Sequence, residues 1–389
     1  MNYALTRLLY PVDETAISLM NAILEKRDLD ECYYWVTELH LSGWDVPRFL
    51  WTMYLDFYLE LNPRLEGYIR KKWGSGEGSR GKEVTLEDIC NVVRNLHRAD
   101  PTPTVFMLRQ AYLANATPFP ESKMQSEATI YHGYPETHQA WLNALHHCDL
   151  VQCTNELHKL LAVWCAESLF CTMLDFHIEH MGAIVKKKHM ETYWETRPNW
   201  DDAHLLLAIQ VHLFRPVSEL NMRRVFVAAA KDCTQHSQSV IAFGRPDKLL
   251  QRQRVYCIDG EGLSGFRLSR SNEKDSPLDC QRHRWEYHAA YTPLWRDRLL
   301  ECGGIVDETS RTIQFRTDEG LEAFYSLYGL DLDEQPLHVQ ERSAPPVPED
   351  KYAKDWLFHI FGETYEFDTA MCEGIPDTWQ FHVEIDRSG

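Results

Sequence analysis

Basic residues are scarce in this chain of 389 residues, which has 40 Lys and Arg against 58 Asp and Glu and a formal net charge of −18 at pH 7. Proteins that coat DNA without sequence preference need clustered cations to neutralise phosphates, so the overall charge argues against that class. The deficit is uneven. Residues 1–221 carry a net charge of −9, residues 222–316 carry 16 basic and 12 acidic side chains (+4), and residues 317–389 carry 4 and 17 (−13).

Long apolar stretches are also missing. No run of about 18 apolar residues, the length of a transmembrane helix, occurs. The first residues contain no apolar core of the length found in a signal peptide. The 11 cysteines include no Cys-x-x-Cys pair. We therefore expect an intracellular protein with reduced thiols and no membrane contact.

No motif of a catalytic, cofactor or metal site is complete. Residues 76–82 match the first seven positions of the phosphate-binding loop G-x-x-x-x-G-K-[ST], but Glu83 replaces the hydroxyl that would hold magnesium. Cys and His residues crowd between Cys148 and His180, yet their spacing matches no zinc knuckle, and the segment indicates amphipathic helices. No Gly-x-Ser-x-Gly elbow is present.

We therefore predict a protein that is not an enzyme and has no catalytic residues, no cofactor and no metal. An enzyme site assembled from distant residues stays open. Such a site would be visible as a deep pocket with several convergent polar groups.

Helical patterns dominate the first part of the chain. Apolar residues recur at helical spacing over 49–61, and Asp13, Asp45 and Thr85 stand where a side chain can cap the start of a helix. Asp28 and Asp30 precede another helix. Further helices are predicted over 139–182, 201–214 and 218–231. Two segments of similar sequence, 28–40 and 149–158, each join two helices, as in helical repeat proteins.

From about residue 236 the pattern changes. Residues 255–258 and 266–268 indicate short strands, and residues 305–306 and 312–315 flank a plausible hairpin loop. A helix follows over 317–328, and another is expected over 350–361. We predict a mainly α fold in three regions: antiparallel, repeat-like helical hairpins over 1–231, a smaller α+β domain with a β-hairpin over 236–340 that is net basic to 316, and a Pro-rich linker with an acidic tail over 341–389.

The basic middle of the chain interleaves arginines with aromatic residues, a combination that grips single-stranded nucleic acid by charge and stacking. The same residue types are enriched in protein interfaces, and they also build ordinary cores with the arginines outside. All three interpretations stay open. The candidate interaction surface consists of nine residues: Arg252, Arg254, Arg282, Arg284, Trp285, Tyr287, Trp295, Arg296 and Arg298.

Several blocks along residues 30–340 resemble a family of proteins of the nucleocytoplasmic large DNA viruses, the giant viruses of algae and amoebae, to which no activity is assigned. The blocks are Tyr-Tyr-Trp at 33–35 followed by Glu-Leu at 38–39 and Ser-Gly at 42–43, Leu-Trp at 50–51 with Asp-Phe-Tyr at 56–58, Asn-Pro-Arg-Leu-Glu at 62–66, His-Arg-Trp-Glu-Tyr at 283–287, Thr-Pro-Leu-Trp at 292–295 and Glu-Gln-Pro at 334–336. The resemblance implies a protein made in the host cytoplasm or the viral factory of an infected cell, and one that virions can package. A shorter stretch, 28–50, is similar to the helical collar of clamp-loader-type AAA ATPases or to a generic helical hairpin.

Together these observations predict a non-enzymatic scaffold or interaction protein of a large DNA virus, which binds other viral or host proteins through helical surfaces. The alternative is an accessory factor in viral DNA or RNA transactions that binds nucleic acid through the Arg-rich and aromatic middle segment. A continuous arginine stripe would favour nucleic acid, and scattered arginines over an apolar patch would favour a protein partner.

Overall fold

Helix starts in the first part of the chain follow the local sequence. The carboxylates of Asp28 and Asp45 accept hydrogen bonds from the backbone N–H groups of Asp30 and Arg48, which would otherwise lack a partner in the first turn. The computed structural model describes residues 3–73, 84–113, 129–181, 194, 201–222, 225–238, 245–268, 277–347, 352–362 and 379–387. Among them, the first ten helices are α1 (Val12–Leu24), α2 (Leu29–Leu41), α3 (Val46–Phe57), α4 (Pro63–Trp73), α5 (Leu86–Arg98), α6 (Thr104–Leu113), α7 (Gln139–His146), α8 (Leu150–Leu161), α9 (Ala166–His180) and α10 (Asp202–Leu213).

The second part of the chain has shorter helices and one hairpin. Strands β1 (Gly304–Asp307) and β2 (Thr312–Phe315) pair antiparallel, with Ile305 opposite Gln314. The helices are α11 (Leu249–Gln253), α12 (Gly260–Leu263), α13 (Pro277–His283), α14 (Trp285–Ala289), α15 (Pro293–Glu301), α16 (Asp318–Tyr328), α17 (Leu337–Glu341) and α18 (Ala353–Phe361). The predicted mainly α fold with a small antiparallel hairpin is confirmed.

Three local predictions are wrong. Asp13 does not cap α1, which begins at Val12 after Pro11 without a side-chain cap hydrogen bond. Residues 255–258 and 266–268 do not form strands, although Phe266 makes one isolated bridge with Phe381. Residues 225–231 are not helical, because two asparagines of α5 form hydrogen bonds with backbone N–H and carbonyl groups of this segment. Asn95 receives a hydrogen bond from the N–H of Val227 (3.0 Å) and donates one to its carbonyl (2.8 Å), while Asn91 accepts from the N–H of Ala229 (2.7 Å). These bonds replace the bonds that a helix would make.

The core reaches across the predicted regions. Residues 3–10 are buried, and the side chains of Thr292 and Trp295 donate hydrogen bonds to the carbonyls of Leu5 (2.6 Å) and Thr6 (2.9 Å). Near the other end of the chain, Phe381 is buried against Phe106 and Trp356. The division into three domains stays a prediction.

No helix within the described ranges is both long and apolar enough to cross a membrane. The glycine-rich segment 76–82, with its partial phosphate-loop pattern, lies outside the described residues.

Candidate functional site

Four of the nine residues predicted as an interaction surface are buried, which corrects their assignment to a surface. Trp285 and Trp295 lie in the core with ring centroids 5.3 Å apart. Tyr287 is also buried, with its ring against those of His288 and Tyr291. Arg254 is fully buried, and its guanidinium donates to the carbonyls of Leu8, Leu9 and Val339. The backbone carbonyls satisfy this buried cation, so it is not available to a partner.

The other five residues differ in exposure, and none of them is fully buried. Arg252 and Arg296 are exposed, while Arg282, Arg284 and Arg298 are half-buried. The guanidinium of Arg282 donates to the amide oxygen of Gln340 (3.0 Å), and that of Arg298 lies over the rings of Trp295 and Tyr328 at 4.8 and 4.7 Å. Interactions within the chain therefore engage the half-buried arginines.

A different place in the molecule gathers polar groups at a cavity. The cavity has a volume of about 380 Å³ and lies between α3, α6, the start of α10 and the C-terminal segment 382–386. Its polar lining side chains are Arg48, Thr52, Asp56, Arg109, Asp201, His204, His382, Glu384 and Asp386, and its apolar ones include Phe49, Trp51, Leu55, Phe106 and Leu113. We call this space the α3–α10 cavity.

Three charged or titratable side chains from three helices meet at its wall. The guanidinium of Arg109 on α6 donates from Nε to Oδ1 of Asp56 (2.8 Å) and from Nη2 to Oδ2 (2.6 Å), which is a two-pronged pair. Nε2 of His204 on α10 lies 2.9 Å from the same Oδ1. The side chains of Asp56, His204 and Arg109 are 3%, 4% and 16% exposed. We refer to the three as the Asp56 cluster.

The cluster holds its carboxylate in the charged form. Burial alone would raise the pKa of Asp56, but Arg109 and His204 outweigh burial and lower this pKa to about 2. Burial likewise disfavours the charge on Arg109, yet Asp56, Asp201 and Glu384 together raise the pKa of the guanidinium. Asp56 and Arg109 are therefore an ion pair throughout the physiological pH range.

The mouth of the cavity has its own charged groups. Arg48 on α3 pairs with Asp386 across the opening, with Nη1 2.6 Å from Oδ2. Asp201 caps α10 by accepting from the N–H of His204 (2.9 Å) and is exposed, as is Glu384. The Arg48–Asp386 pair ties the C-terminal segment to α3, and Asp201 and Glu384 place carboxylates at two further points of the lining.

A second, smaller space adjoins the first. It has a volume of about 140 Å³, and Arg109, Leu113, Asp201 and His204 line both spaces. Its remaining lining is mostly apolar and comes from α8 and α10. The Asp56 cluster therefore stands between two cavities, where a bound molecule could extend from one into the other.

The lining of the larger cavity combines charged, titratable and apolar groups. It includes Thr, Asp, Glu and His side chains but neither Ser, Cys, Lys nor Tyr. Within the described part of the chain, no group of three or more His, Cys, Asp or Glu is placed to hold a metal ion. The Asp56–Arg109 ion pair holds two charged groups in fixed positions at the wall, so the site can orient a polar ligand.

Sequence patterns alone did not identify this site, since its members lie in three helices separated by many residues. A signal was nevertheless present: Asp56 interrupts the apolar stripe of α3, and His204 begins the apolar run of α10. A charged residue on the buried face of a helix needs a partner from another element. The signal says that a partner exists and does not say which residue it is.

Comparisons of the chain with protein-family models, with curated proteins and with solved structures found no match to any of them.

Proposed function

We propose that this protein binds a small organic molecule in the α3–α10 cavity and that the Asp56 cluster keeps the shape and charge of the site fixed. The observation that carries the proposal is the position of the cluster: its three side chains form part of the wall of a cavity of about 380 Å³. Pockets for small ligands usually measure about 300–1,000 Å³ and combine apolar walls with a few convergent polar groups.

A purely structural role for the cluster is the competing explanation. Buried ion pairs rarely add net stability, because desolvation of two charges offsets their attraction. A joint that only links α3, α6 and α10 could be made by apolar packing around a closed core. Charges at a cavity wall also occur where a site is tuned for a ligand, and the open lining favours this second role.

Binding can be tested with the purified full chain and a panel of small amines, carboxylates, phosphates and neutral alcohols, by following the thermal unfolding midpoint as each concentration rises. Thr52 lines the cavity and is half-buried, so Thr52→Phe should fill the space. Thr172→Phe on α9 makes the same change at a half-buried helix position outside the lining. We expect saturable stabilisation by at least one probe class, at least tenfold weaker in Thr52→Phe and unchanged in Thr172→Phe.

Two results would overturn the proposal. One is the absence of saturable binding across the whole panel. The other is binding that Thr52→Phe leaves intact, because the ligand would then sit elsewhere. If Thr52→Phe does not fold, Leu113→Trp, at a lining position that is half exposed, provides the same test.

A second candidate function is protein interaction without catalysis, and the exposed apolar residues of α15, the hairpin and α16 favour it. The buried residues of α16 are Phe324 and Tyr328, whereas Leu321 and Leu327 are 41% and 42% exposed. Leu300 and Ile305 are also exposed. Clustered exposed apolar side chains are typical of binding surfaces. Because Arg254 is buried and the half-buried Arg282 and Arg298 contact other groups of the chain, this arrangement favours a protein partner over the nucleic-acid alternative.

This second candidate needs a capture experiment from extracts of the cells that make the protein, with and without nuclease. Leu321→Glu with Ile305→Glu should abolish capture of specific partners that resist nuclease, whereas Leu337→Glu, a change at a 62% exposed position on α17, should not. Capture of viral structural proteins would support the scaffold of a large DNA virus. Partners that nuclease removes would support the nucleic-acid alternative instead.

A further inference from the structure

The cations that line the α3–α10 cavity already have partners. Nε and Nη2 of Arg109 both donate to the carboxylate of Asp56, and Arg48 pairs with Asp386. An anionic ligand would have to compete with carboxylates that the chain itself supplies. The arginines therefore do not favour an anion as the ligand of this cavity.

The carboxylates at the mouth are in the opposite situation. Neither Asp201 nor Glu384 forms a salt bridge within the part of the chain that the structure describes. They come from different elements, the start of α10 and the C-terminal segment, and both act on the charge of Arg109. Two carboxylates that face one opening create a negative potential, which an incoming cation would relieve.

The net charge of the whole lining also favours a cation as the ligand. Four carboxylates stand against two arginines, so the charges of these six side chains sum to −2. Burial, and next the charge of Arg267, lower the pKa of His382, so its ring is neutral at pH 7.

Three of the nine apolar residues of the lining are aromatic. Phe49, Trp51 and Phe106 contribute to the wall, and aromatic faces attract organic cations as well as apolar groups. A cavity that combines a negative mouth with apolar, partly aromatic walls matches a ligand that has a charged amine at one end and an apolar body at the other. Inorganic cations fit less well, since the described residues place no set of metal ligands there.

We propose that the α3–α10 cavity binds an organic cation, a primary or quaternary amine with an apolar body. Its charge lies between Asp201 and Glu384, and its body lies against Phe49, Trp51 and Phe106. This inference rests on the proposed function, because it names the class of ligand for the same cavity.

The test compares three probes of nearly equal size, 2-phenylethylammonium, 2-phenylethanol and phenylacetate, by calorimetric titration of the full chain at pH 7 and low ionic strength. We expect the ammonium probe to bind at least tenfold more tightly than the alcohol, and phenylacetate to bind more weakly than either. Added salt should weaken the binding of the ammonium probe selectively, because its extra affinity is electrostatic.

Charge-removing variants locate the effect. Asn caps a helix about as well as Asp does, so Asp201→Asn with Glu384→Gln should remove two charges and keep the fold. We expect this double variant to bind the ammonium probe about tenfold more weakly and the alcohol as before. Glu319→Gln with Glu322→Gln, at exposed positions on α16 outside the lining, removes the same charge and should change nothing.

The outcomes separate the two proposals. If the alcohol or phenylacetate binds at least as tightly as the ammonium probe, and Thr52→Phe abolishes that binding, the ligand class is overturned while the cavity remains a binding site. If ammonium binding is equally weakened by both double variants, the effect belongs to overall charge and the inference fails. If no probe in this series or in the wider panel binds, both proposals fail.

Discussion

Asp56 is the residue on which the candidate site depends, because it is the common partner of Arg109 and His204. Its carboxylate is almost fully buried, so its stability as an anion comes from these two neighbours rather than from water. Removing its charge would leave the buried guanidinium of Arg109 without the carboxylate that it contacts directly. The cost of such a change is known to exceed that of removing an exposed pair.

We therefore expect Asp56→Asn to lower the free energy of unfolding at pH 7 by about 3–5 kcal/mol. Asp386→Asn, which breaks the half-exposed pair with Arg48, should cost no more than about 1 kcal/mol. Urea unfolding followed by circular dichroism measures both. Because the folded protein lowers the pKa of Asp56 from 3.8 to about 2, the contribution is fully present above about pH 4 and is lost as the pH falls towards 2. Equal costs for the two variants would contradict a tightly paired Asp56 cluster.

Glu66 on α4 has the opposite behaviour. It is 6% exposed, and burial raises its pKa to about 7, an effect that Arg70 one helical turn later offsets only in part. The folded state therefore holds the proton more tightly than the unfolded state, whose ordinary value is 4.5. The resulting contribution to stability is complete below pH 4.5 and is lost as the pH rises through 7.

Glu66→Gln should therefore raise the free energy of unfolding by about 1–3 kcal/mol at pH 8 and leave it nearly unchanged at pH 4.5. Urea unfolding at the two pH values gives the comparison. Glu322→Gln, at an exposed position on α16, should have an effect below about 0.5 kcal/mol at both. A gain in Glu66→Gln that did not depend on pH would show that titration of this carboxylate is not its cause.

At the scale of elements, α16 packs closely against the backbone at the end of α15. A Cβ added at Gly320 would lie 2.3 Å from the carbonyl oxygen of Cys302, so the helix approaches the end of α15 more closely than any other residue type allows. Gly67, an exposed glycine in α4, has open space around it. The two glycines form a matched pair, since each stands within a helix and neither has a positive φ.

Gly320→Ala should lower the free energy of unfolding by about 1–3 kcal/mol, because α16 would have to move away from Cys302. Gly67→Ala should raise it by about 0.5–1 kcal/mol, because Ala is the better helix former and meets no atom. Differential scanning calorimetry of both variants gives the two signs. A stabilised Gly320→Ala protein would mean that α16 does not rest on Cys302, and the exposed apolar residues of α16 would then need another explanation.

The elements also show how far sequence patterns reach. The caps at Asp28, Asp45 and Thr85 were predictable because each bond joins residues two or three positions apart. The irregular course of residues 225–231 was not, because it depends on Asn91 and Asn95, which are distant in the chain. The same limit applies to the candidate site, since no local pattern says that Asp56, Arg109 and His204 meet.

At the scale of the whole molecule, the first residues of the chain are held by residues far along it. The guanidinium of Arg254 donates to the carbonyls of Leu8 (2.8 Å) and Leu9 (2.6 Å), and also to the carbonyl of Val339 (3.0 Å) and the hydroxyl of Ser343 (2.7 Å). One buried side chain thus joins the start of the helical region to α17. Burial lowers the pKa of this guanidinium, and the surrounding acceptors compensate for the buried charge.

Arg254→Met keeps the apolar stem and leaves several buried acceptors without a donor, so we expect it to lower the free energy of unfolding by at least about 3 kcal/mol. Arg252→Met, two residues earlier at an exposed position, should change it by less than about 0.5 kcal/mol. Hydrogen exchange read by mass spectrometry should show faster exchange in Arg254→Met both at residues 3–11 and at residues 337–343, because the same guanidinium holds both segments. If the regions 1–231 and 236–340 fold independently, exchange would increase in the later segment alone and unfolding would proceed in two steps. A single unfolding transition, with a lower free energy of unfolding in Arg254→Met, would instead mean that both regions belong to one cooperative unit. The predicted boundary would then mark only a change in the sequence pattern.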